Sequence, residues 1–292
     1  MHISLFFLTF ASEEQKMMKR VYLYIVAMLA CCQLSAQTYD ELITRAMNAV
    51  ERDSLYQAEV WFKKALQKEP ANMRNALLFS NLGTIQRRMG KNKEALESYS
   101  LALNLTPYSV TMLLNRASLY LDMDYLDKAY VDYCNVIDLE AKNQEALQFR
   151  AYIYMRRRQY QDAKNDYQSL LEVVPGDKTA RIGMAMVNQK LQRYRESLEE
   201  FNRLIVDYPK DVSLLKARAE LEVETNNLEL ALLDLESAAK LAPNDAEIYV
   251  MCGDIYMEQG RNREAYVAFE KAVELGIPRP ELQDRLKASK KK

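Results

Sequence analysis

The residues that most often carry catalysis are scarce in this chain of 292 residues. His2 is the single histidine, and it lies in an N-terminal segment that we expect to be removed. Without it, no His-based triad, general base or metal site is available. Gly83 and Gly90 are seven residues apart rather than five, so the chain also lacks a phosphate-binding Walker loop. These observations predict a protein that is not an enzyme and that uses no cofactor and no metal.

Three other sets of side chains could in principle do chemistry. Asp122, Asp124 and Asp127 could bind a cation, but such carboxylates are usually solvated caps at helix ends and turns. Cys134 and Cys252 are each expected to be a small buried hydrophobe rather than a reactive thiol. The chain also has 19 tyrosines, which could stack on sugars or bases. An enzyme or carbohydrate-binding protein that uses a Tyr-rich surface therefore stays an alternative.

The overall composition favours a helical globular protein. Glycine and proline contribute only 7 residues each, too few for collagen or low-complexity disorder, while 49% of the chain is hydrophobic. The 40 basic and 41 acidic residues nearly cancel. Such a balance argues against a general nucleic-acid binder, which presents a strong positive field.

The N-terminus has the pattern of a secretory signal peptide. Lys19 and Arg20 precede an apolar run from Val21 to Cys32, which is too short to span a bilayer. A polar, small-residue stretch follows and ends at Ala36, so residues 1–36 are predicted to be cleaved. The residues before Met17 suggest a start codon assigned too far upstream. The mature protein is expected in the periplasm or outside the cell.

Cys31 and Cys32 allow a second interpretation of the same segment. Met28 to Cys31 loosely resembles a lipobox, in which the cysteine becomes lipidated. Lipidation would make the protein a membrane-anchored subunit of an envelope assembly. Contact with a membrane is expected only in that case.

A period of 34 residues then dominates the rest of the sequence. The units span residues 39–72, 76–109, 110–143, 144–177, 178–211, 212–245 and 246–279. Numbered from 1 to 34 within each unit, position 8 is always Ala or Gly and position 20 is Ala in all units but one. Position 24 is aromatic in all units but one. Small residues at 8 and 20 would let two helices approach closely, with the aromatic ring beside them.

This pattern resembles the tetratricopeptide repeat, whose signature the last unit nearly spells with Tyr249, Gly253, Tyr256, Ala265 and Phe269. The resemblance implies an all-α, right-handed superhelical solenoid of seven helix-turn-helix repeats. Residues 280–292 would add a short capping helix, with Leu282 and Leu286 on one stripe, and a basic tail. Arg116, Arg150 and Arg218 depart from the pattern, because position 7 is apolar in the family.

The resemblance also implies a non-catalytic scaffold that binds a protein or peptide in a concave groove lined by the first helices. Positions 2, 5, 6, 9, 12 and 13, which we call the first-helix face, would point into this groove. In the last two units this face would be acidic. The interpretation that competes with a binding groove is that neighbouring first helices partly bury the side chains of this face. The candidate partner-binding residues are Asn81, Arg87, Arg88, Leu114, Asn115, Leu121, Phe149, Tyr152, Met155, Arg156, Ile182 and Met186.

Overall fold

The structure, a computed structural model, describes residues 37–290, which form helices joined by short turns and contain no strand. The predicted signal peptide, with Cys31 and Cys32, lies outside the described residues, as do the last two lysines. The α-helices are α1 (Tyr39–Glu51), α2 (Leu55–Lys68), α3 (Asn75–Arg88), α4 (Asn92–Leu105), α5 (Val110–Asp122), α6 (Leu126–Leu139), α7 (Gln144–Arg156), α8 (Tyr160–Val173), α9 (Lys178–Lys190), α10 (Tyr194–Asp207), α11 (Val212–Glu224), α12 (Leu228–Leu241), α13 (Ala246–Glu258), α14 (Asn262–Glu274) and α15 (Gln283–Ala288). The all-α repeat architecture is therefore confirmed.

The chain forms two compact bodies, and the boundary between them falls inside α5. We call residues 37–119 the N-terminal body and residues 120–290 the C-terminal body. Each body has its own buried apolar clusters, centred for example on Phe62 in the first and on Tyr167 and Phe201 in the second.

The first helices of units four to seven begin at a capping side chain placed one period apart. Asn143, Asp177, Asp211 and Asp245 each accept a hydrogen bond from a backbone N–H in the first turn. These bonds satisfy donors that a helix start leaves without a partner. Position 34 of one unit thus determines where the next unit begins.

The turn between the two helices of each unit is built on a left-handed residue at position 15. Gly90 and Gly260 adopt positive φ angles of 74° and 70°, as their type favours. The same conformation occurs at the non-glycine residues Asp53, Asp124, Arg158, Gln192 and Asn226. The turn geometry is therefore kept even where the residue type makes it costly.

The small residues and the aromatic residue of each unit meet as expected. A Cβ atom added to Gly83 would lie 2.8 Å from the ring of Tyr99, and one added to Gly253 would lie 2.4 Å from Phe269. Both distances are shorter than van der Waals contact, so position 8 must be small beside these rings.

The first helices are buried on two sides rather than along a single stripe. Position 10 is buried in every unit after the first, for example at Ile153 and Leu221, and position 3 is buried as well, for example at Leu214 and Ile248. The sequence interpretation, which assigned packing of the first helix to position 8, missed these two positions. They are buried because a first helix also packs against the second helix of the preceding unit, as α9 packs on α8.

The last unit is covered by a short cap. A 3₁₀ turn (Arg279–Leu282) leads into α15, and Leu282 and Leu286 are buried against Phe269 and its neighbours. The expected capping helix is therefore present, although its first turn is 3₁₀ rather than α. Lys290, in the basic tail, is exposed.

Candidate functional site

The first-helix face is only partly open to solvent. Its positions 2 and 13 are exposed in every described unit, whereas positions 5 and 12 are partly or fully buried. Of the twelve candidate residues, Arg88, Tyr152, Arg156 and Met186 are exposed and the other eight are partly buried. The expectation that neighbouring helices cover some of these side chains therefore applies to most of them.

The N-terminal body holds Asn81, Arg87, Arg88, Leu114 and Asn115. Arg87 donates a hydrogen bond to the Ser118 hydroxyl at 3.0 Å. Arg88 pairs with Asp53 at 2.7 Å, and both side chains are largely exposed. Such a surface pair contributes little to stability, so Arg88 can exchange Asp53 for another anion at small cost.

The C-terminal body holds the remaining seven candidates. Tyr152 and Met186 occupy position 9 of consecutive first helices, α7 and α9, which contact each other. Their side chains are 40% and 42% exposed. Two large apolar side chains are thus presented to solvent one repeat apart.

Arg156 and Asp124 orient the Tyr152 ring. The Arg156 guanidinium donates to the Tyr152 hydroxyl oxygen at 2.9 Å and to the Asp124 carboxylate at 3.2 Å. The hydrogen bond to Tyr152 and the charge of Asp124 raise the pKa of Arg156. This arrangement keeps a cation beside an exposed aromatic ring.

The other candidates of this body belong mainly to the packing between repeats. Phe149 stacks on Tyr133 with ring centres 5.7 Å apart. Met155 and Ile182 pack against apolar clusters of the interior. Leu121 is partly buried. The open part of the candidate site is therefore Tyr152, Met186 and Arg156.

The acidic residues expected on the last units are partly engaged by neighbours. Glu224 accepts hydrogen bonds from Gln189 at 2.6 Å and from Tyr194 at 3.1 Å. Glu247 pairs with Lys216, and Asp254 pairs with Arg285 of the cap at 2.7 Å. Much of this acidic charge is compensated within the body.

The unexpected arginines at position 7 form ion pairs on the opposite side of the first helices. Arg150 makes two hydrogen bonds of 2.8 Å to Asp166, and Arg218 makes two of 2.7 and 2.6 Å to Asp234. Each carboxylate lies at position 23 of the same unit. Sequence reasoning missed these pairs, although Arg at 7 and Asp at 23 recur together in units three, four and six.

Cys252 and the tyrosines at position 24 are partly or fully buried. Burial raises the pKa of the Cys252 thiol to about 11, so it is protonated at neutral pH. Tyr99, Tyr133 and Tyr167, at position 24, are buried in the packing between helices. Among residues 37–290, no three His, Cys, Asp or Glu side chains are grouped to hold a metal ion. The same residues include no helix long and apolar enough to cross a membrane.

Comparison with known proteins identifies the repeat. Profiles described as "Tetratricopeptide repeat" match residues 77–109, 150–212, 182–246 and 246–275, more than half of the chain. A tetratricopeptide repeat protein from Parabacteroides merdae is 36% identical, with a TM-score of 0.70, over 87% of this chain and 99% of that one. YrrB, described as a TPR protein with an unusual peptide-binding site, is 18% identical, with a TM-score of 0.50, over 67% of this chain and 100% of that one.

A curated relative resembles only a short part of the chain. The UDP-N-acetylglucosamine–peptide N-acetylglucosaminyltransferase of Giardia intestinalis is 37% identical over 78 residues, which are 27% of this chain and 5% of that protein. The P. merdae protein, by contrast, aligns over nearly its whole length. The chain therefore belongs to the tetratricopeptide repeat family, whose members generally mediate protein–protein or protein–peptide interactions.

Proposed function

We propose that this protein is an exported, non-catalytic scaffold that binds a protein or peptide partner on the first-helix face of its C-terminal body. One observation carries the proposal: Tyr152 and Met186 are large, exposed and repeated at the same position of neighbouring helices. Apolar side chains at such positions are costly to leave in water unless a partner covers them. The tetratricopeptide fold, which is typically a non-catalytic scaffold, supports the same interpretation.

The residue types around this pair favour a protein ligand. Tyr, Met and Arg are enriched at protein interfaces, and Tyr and Arg are frequent among the residues that dominate binding energy. The Arg156 cation beside Tyr152 would meet an acidic or carbonyl group of the partner.

Replacement of both anchors tests the proposed surface. Tyr152→Ala with Met186→Ala should weaken binding of the native partner by about 2 kcal/mol, or roughly thirtyfold, with helicity unchanged. The partner is captured from the native cells by pull-down, and its Kd is then measured by calorimetry. Val206→Ala with Leu241→Ala removes exposed apolar groups elsewhere in the same body and serves as the control. Unchanged capture by the first variant with an intact fold would exclude this surface.

The exported location rests on the Lys19 to Ala36 pattern and has its own test. Intact-mass measurement of protein from the producing cell should give a chain that begins near Gln37. A mature chain beginning at Cys31 or Cys32 with an added lipid would instead assign the protein to a membrane-anchored assembly. Retention of the Val21 to Cys32 segment without lipid would contradict export by either route.

A further inference from the structure

Arginine side chains lie between consecutive second helices in the C-terminal body. Between α6 and α8, Arg150 pairs with Asp166 on one wall and contacts the Cys134 sulfur on the other at 3.6 Å. Between α10 and α12, Arg218 pairs with Asp234 on one wall and donates to Asn202 on the other at 2.6 Å. In both places a guanidinium joins position 23 of its own unit to position 25 of the preceding unit.

The groove between α12 and α14 has no such arginine. Position 7 is Cys252 and position 23 is Ala268, so both members of the ion pair are replaced by small side chains. The result is an open cavity of about 950 Å³ whose floor includes Tyr249, Cys252 and Tyr256. The space that Arg150 and Arg218 fill in their two grooves is left open here.

The mouth of this groove is apolar on both walls. Leu233 on α12 and Val267 on α14 both occupy position 22, and they are 58% and 62% exposed. The same position holds Asn165 in unit four and Glu199 in unit five. Unit three has the exposed Val131 at this position, but Asn165 lies on the other wall of its groove, so among the grooves of this body only that between α12 and α14 has an apolar residue at position 22 on both walls.

The charges of the two walls differ in sign. Glu236 on α12 occupies position 25, where Cys134 and Asn202 contact a guanidinium in the other grooves. Within residues 37–290 its ion pair is with the exposed Lys240 at 3.1 Å, a weak surface contact. The α14 wall carries Arg263 and Lys271, of which Lys271 pairs with Glu274 at 3.0 Å, and its Glu264 is bound to Arg261 at 3.1 Å. The groove thus offers an anion on one wall and cations on the other.

We propose that this groove binds a segment of a partner protein that carries an arginine next to a large apolar residue. The partner's guanidinium pairs with Glu236 and occupies the kind of space that Arg150 and Arg218 fill in their own grooves. The partner's apolar side chain inserts between Leu233 and Val267. The basic α14 wall faces carbonyl or carboxylate groups of the same segment. This site is separate from the Tyr152 and Met186 surface and uses the other side of the repeats.

A phage-displayed heptapeptide library selected on the full chain tests the proposal. We expect enrichment of peptides with arginine beside Leu, Ile, Phe or Met. The best sequences are then made as fluorescein-labelled peptides, each with a twin that has citrulline, a neutral isostere, in place of arginine. Fluorescence anisotropy should show at least tenfold weaker binding of the citrulline peptides.

Two variants assign that binding to the groove. Cys252→Arg with Ala268→Asp rebuilds the ion pair of units four and six and should abolish binding by filling the cavity. Glu236→Gln changes one exposed carboxylate, leaves the fold intact, and should weaken binding at least tenfold. Val206→Ala and the Tyr152→Ala, Met186→Ala double variant should bind as the unchanged chain does.

Four outcomes would overturn the proposal. A library that yields no arginine-containing binders is one, and arginine peptides that bind both groove variants unchanged are another. Loss of peptide binding only in the Tyr152, Met186 variant would move the site to the first-helix face and support the proposed function instead. If the chain dimerises in the absence of arginine peptides, and the Cys252→Arg, Ala268→Asp variant does not dimerise, the groove binds a second copy of the chain instead.

Discussion

Glu59 shows how individual charges are stabilised inside the N-terminal body. Its carboxylate is buried, yet it accepts hydrogen bonds from Lys63 at 2.7 Å, Lys91 at 2.6 Å and Gln86 at 3.3 Å. Burial by itself would raise the pKa of Glu59, but these donors outweigh that effect and lower the pKa to about 2. A residue that hydropathy alone would place on the surface thus holds α2, α3 and the following turn together.

This depressed pKa predicts a dependence of stability on pH. The stabilisation by ionised Glu59 is complete above its unfolded pKa near 4.5 and is lost as the pH falls through about 2. Glu59→Gln should lower the free energy of unfolding at pH 7 by about 2 kcal/mol. This is less than the pKa shift alone would give, because both lysines are partly solvated and water screens their charges. Urea melts from pH 7 to pH 2 should show this difference shrinking below pH 4.5. Glu97→Gln, at an exposed position, should leave the free energy of unfolding nearly unchanged. An equal loss in both variants would show that the hydrogen bonds to Glu59 are not the cause.

The arginine pairs predict a rescue between two single-residue changes. Asp234→Ala leaves the half-buried Arg218 without its bidentate partner and should cost about 2 kcal/mol. Adding Arg218→Met removes the uncompensated charge and places there the residue type that unit five has at position 7, so most of that loss should be recovered. Urea unfolding of both variants measures the recovery. A double variant less stable than Asp234→Ala would show that the arginine stabilises through packing instead.

At the scale of the helices, the left-handed turn residue is the element that repeats most strictly. In unit five Gln192 has a φ of 57°, and the N–H groups of Gln192 and Arg193 donate back to Gln189 and Asn188 at 2.9 and 2.8 Å. These bonds satisfy carbonyls at the end of α9. The hydrogen-bond geometry, rather than the residue type, maintains this turn.

Reciprocal exchanges at this turn should have opposite effects. Gln192→Gly should raise the free energy of unfolding by about 0.5 kcal/mol, because relief of the left-handed strain exceeds the added freedom of the unfolded chain. Gly260→Gln should lower it by about 1 kcal/mol, since no atom lies within 4 Å of an added Cβ and only the backbone conformation matters. Thermal melts compare the two. The same sign for both variants would refute this account of the turn.

At the scale of the molecule, a chain of repeats must close its exposed last helix pair. The cap buries Leu282 and Leu286 against Phe269 and links Arg285 to Asp254 on the first-helix face. A terminal repeat without such a cover presents apolar surface to water and to other copies.

Loss of the cap contact should therefore be visible in both stability and association. Leu286→Ala should lower the free energy of unfolding by about 2 to 3 kcal/mol through the cavity it leaves. Leu282→Ser with Leu286→Ser should in addition produce self-association in sedimentation velocity. The exposed Lys287→Ala should do neither. A monomeric, fully stable double variant would show that α15 is dispensable.

The sequence by itself determined the helical class, the 34-residue period, the small and aromatic packing positions, and the position of the cap. These features arise from contacts within one unit or at its ends, where residue type and spacing directly specify what can pack. The regular recurrence of Ala95, Ala129 and Ala163, each 34 residues after the last, made the period visible without coordinates.

Only the tertiary structure decided which surfaces are open. Phe149 and Tyr152 both belong to the predicted face, yet Phe149 stacks on Tyr133 of the preceding unit while Tyr152 is exposed. Arg218 fills the space between its second helices whereas Cys252 leaves such a space open, and this difference likewise depends on side chains of two neighbouring units. The neighbours that decide burial here, Tyr133 for Phe149 and Asn202 for Arg218, lie 16 residues away in the preceding unit, and periodicity within one unit does not encode that contact.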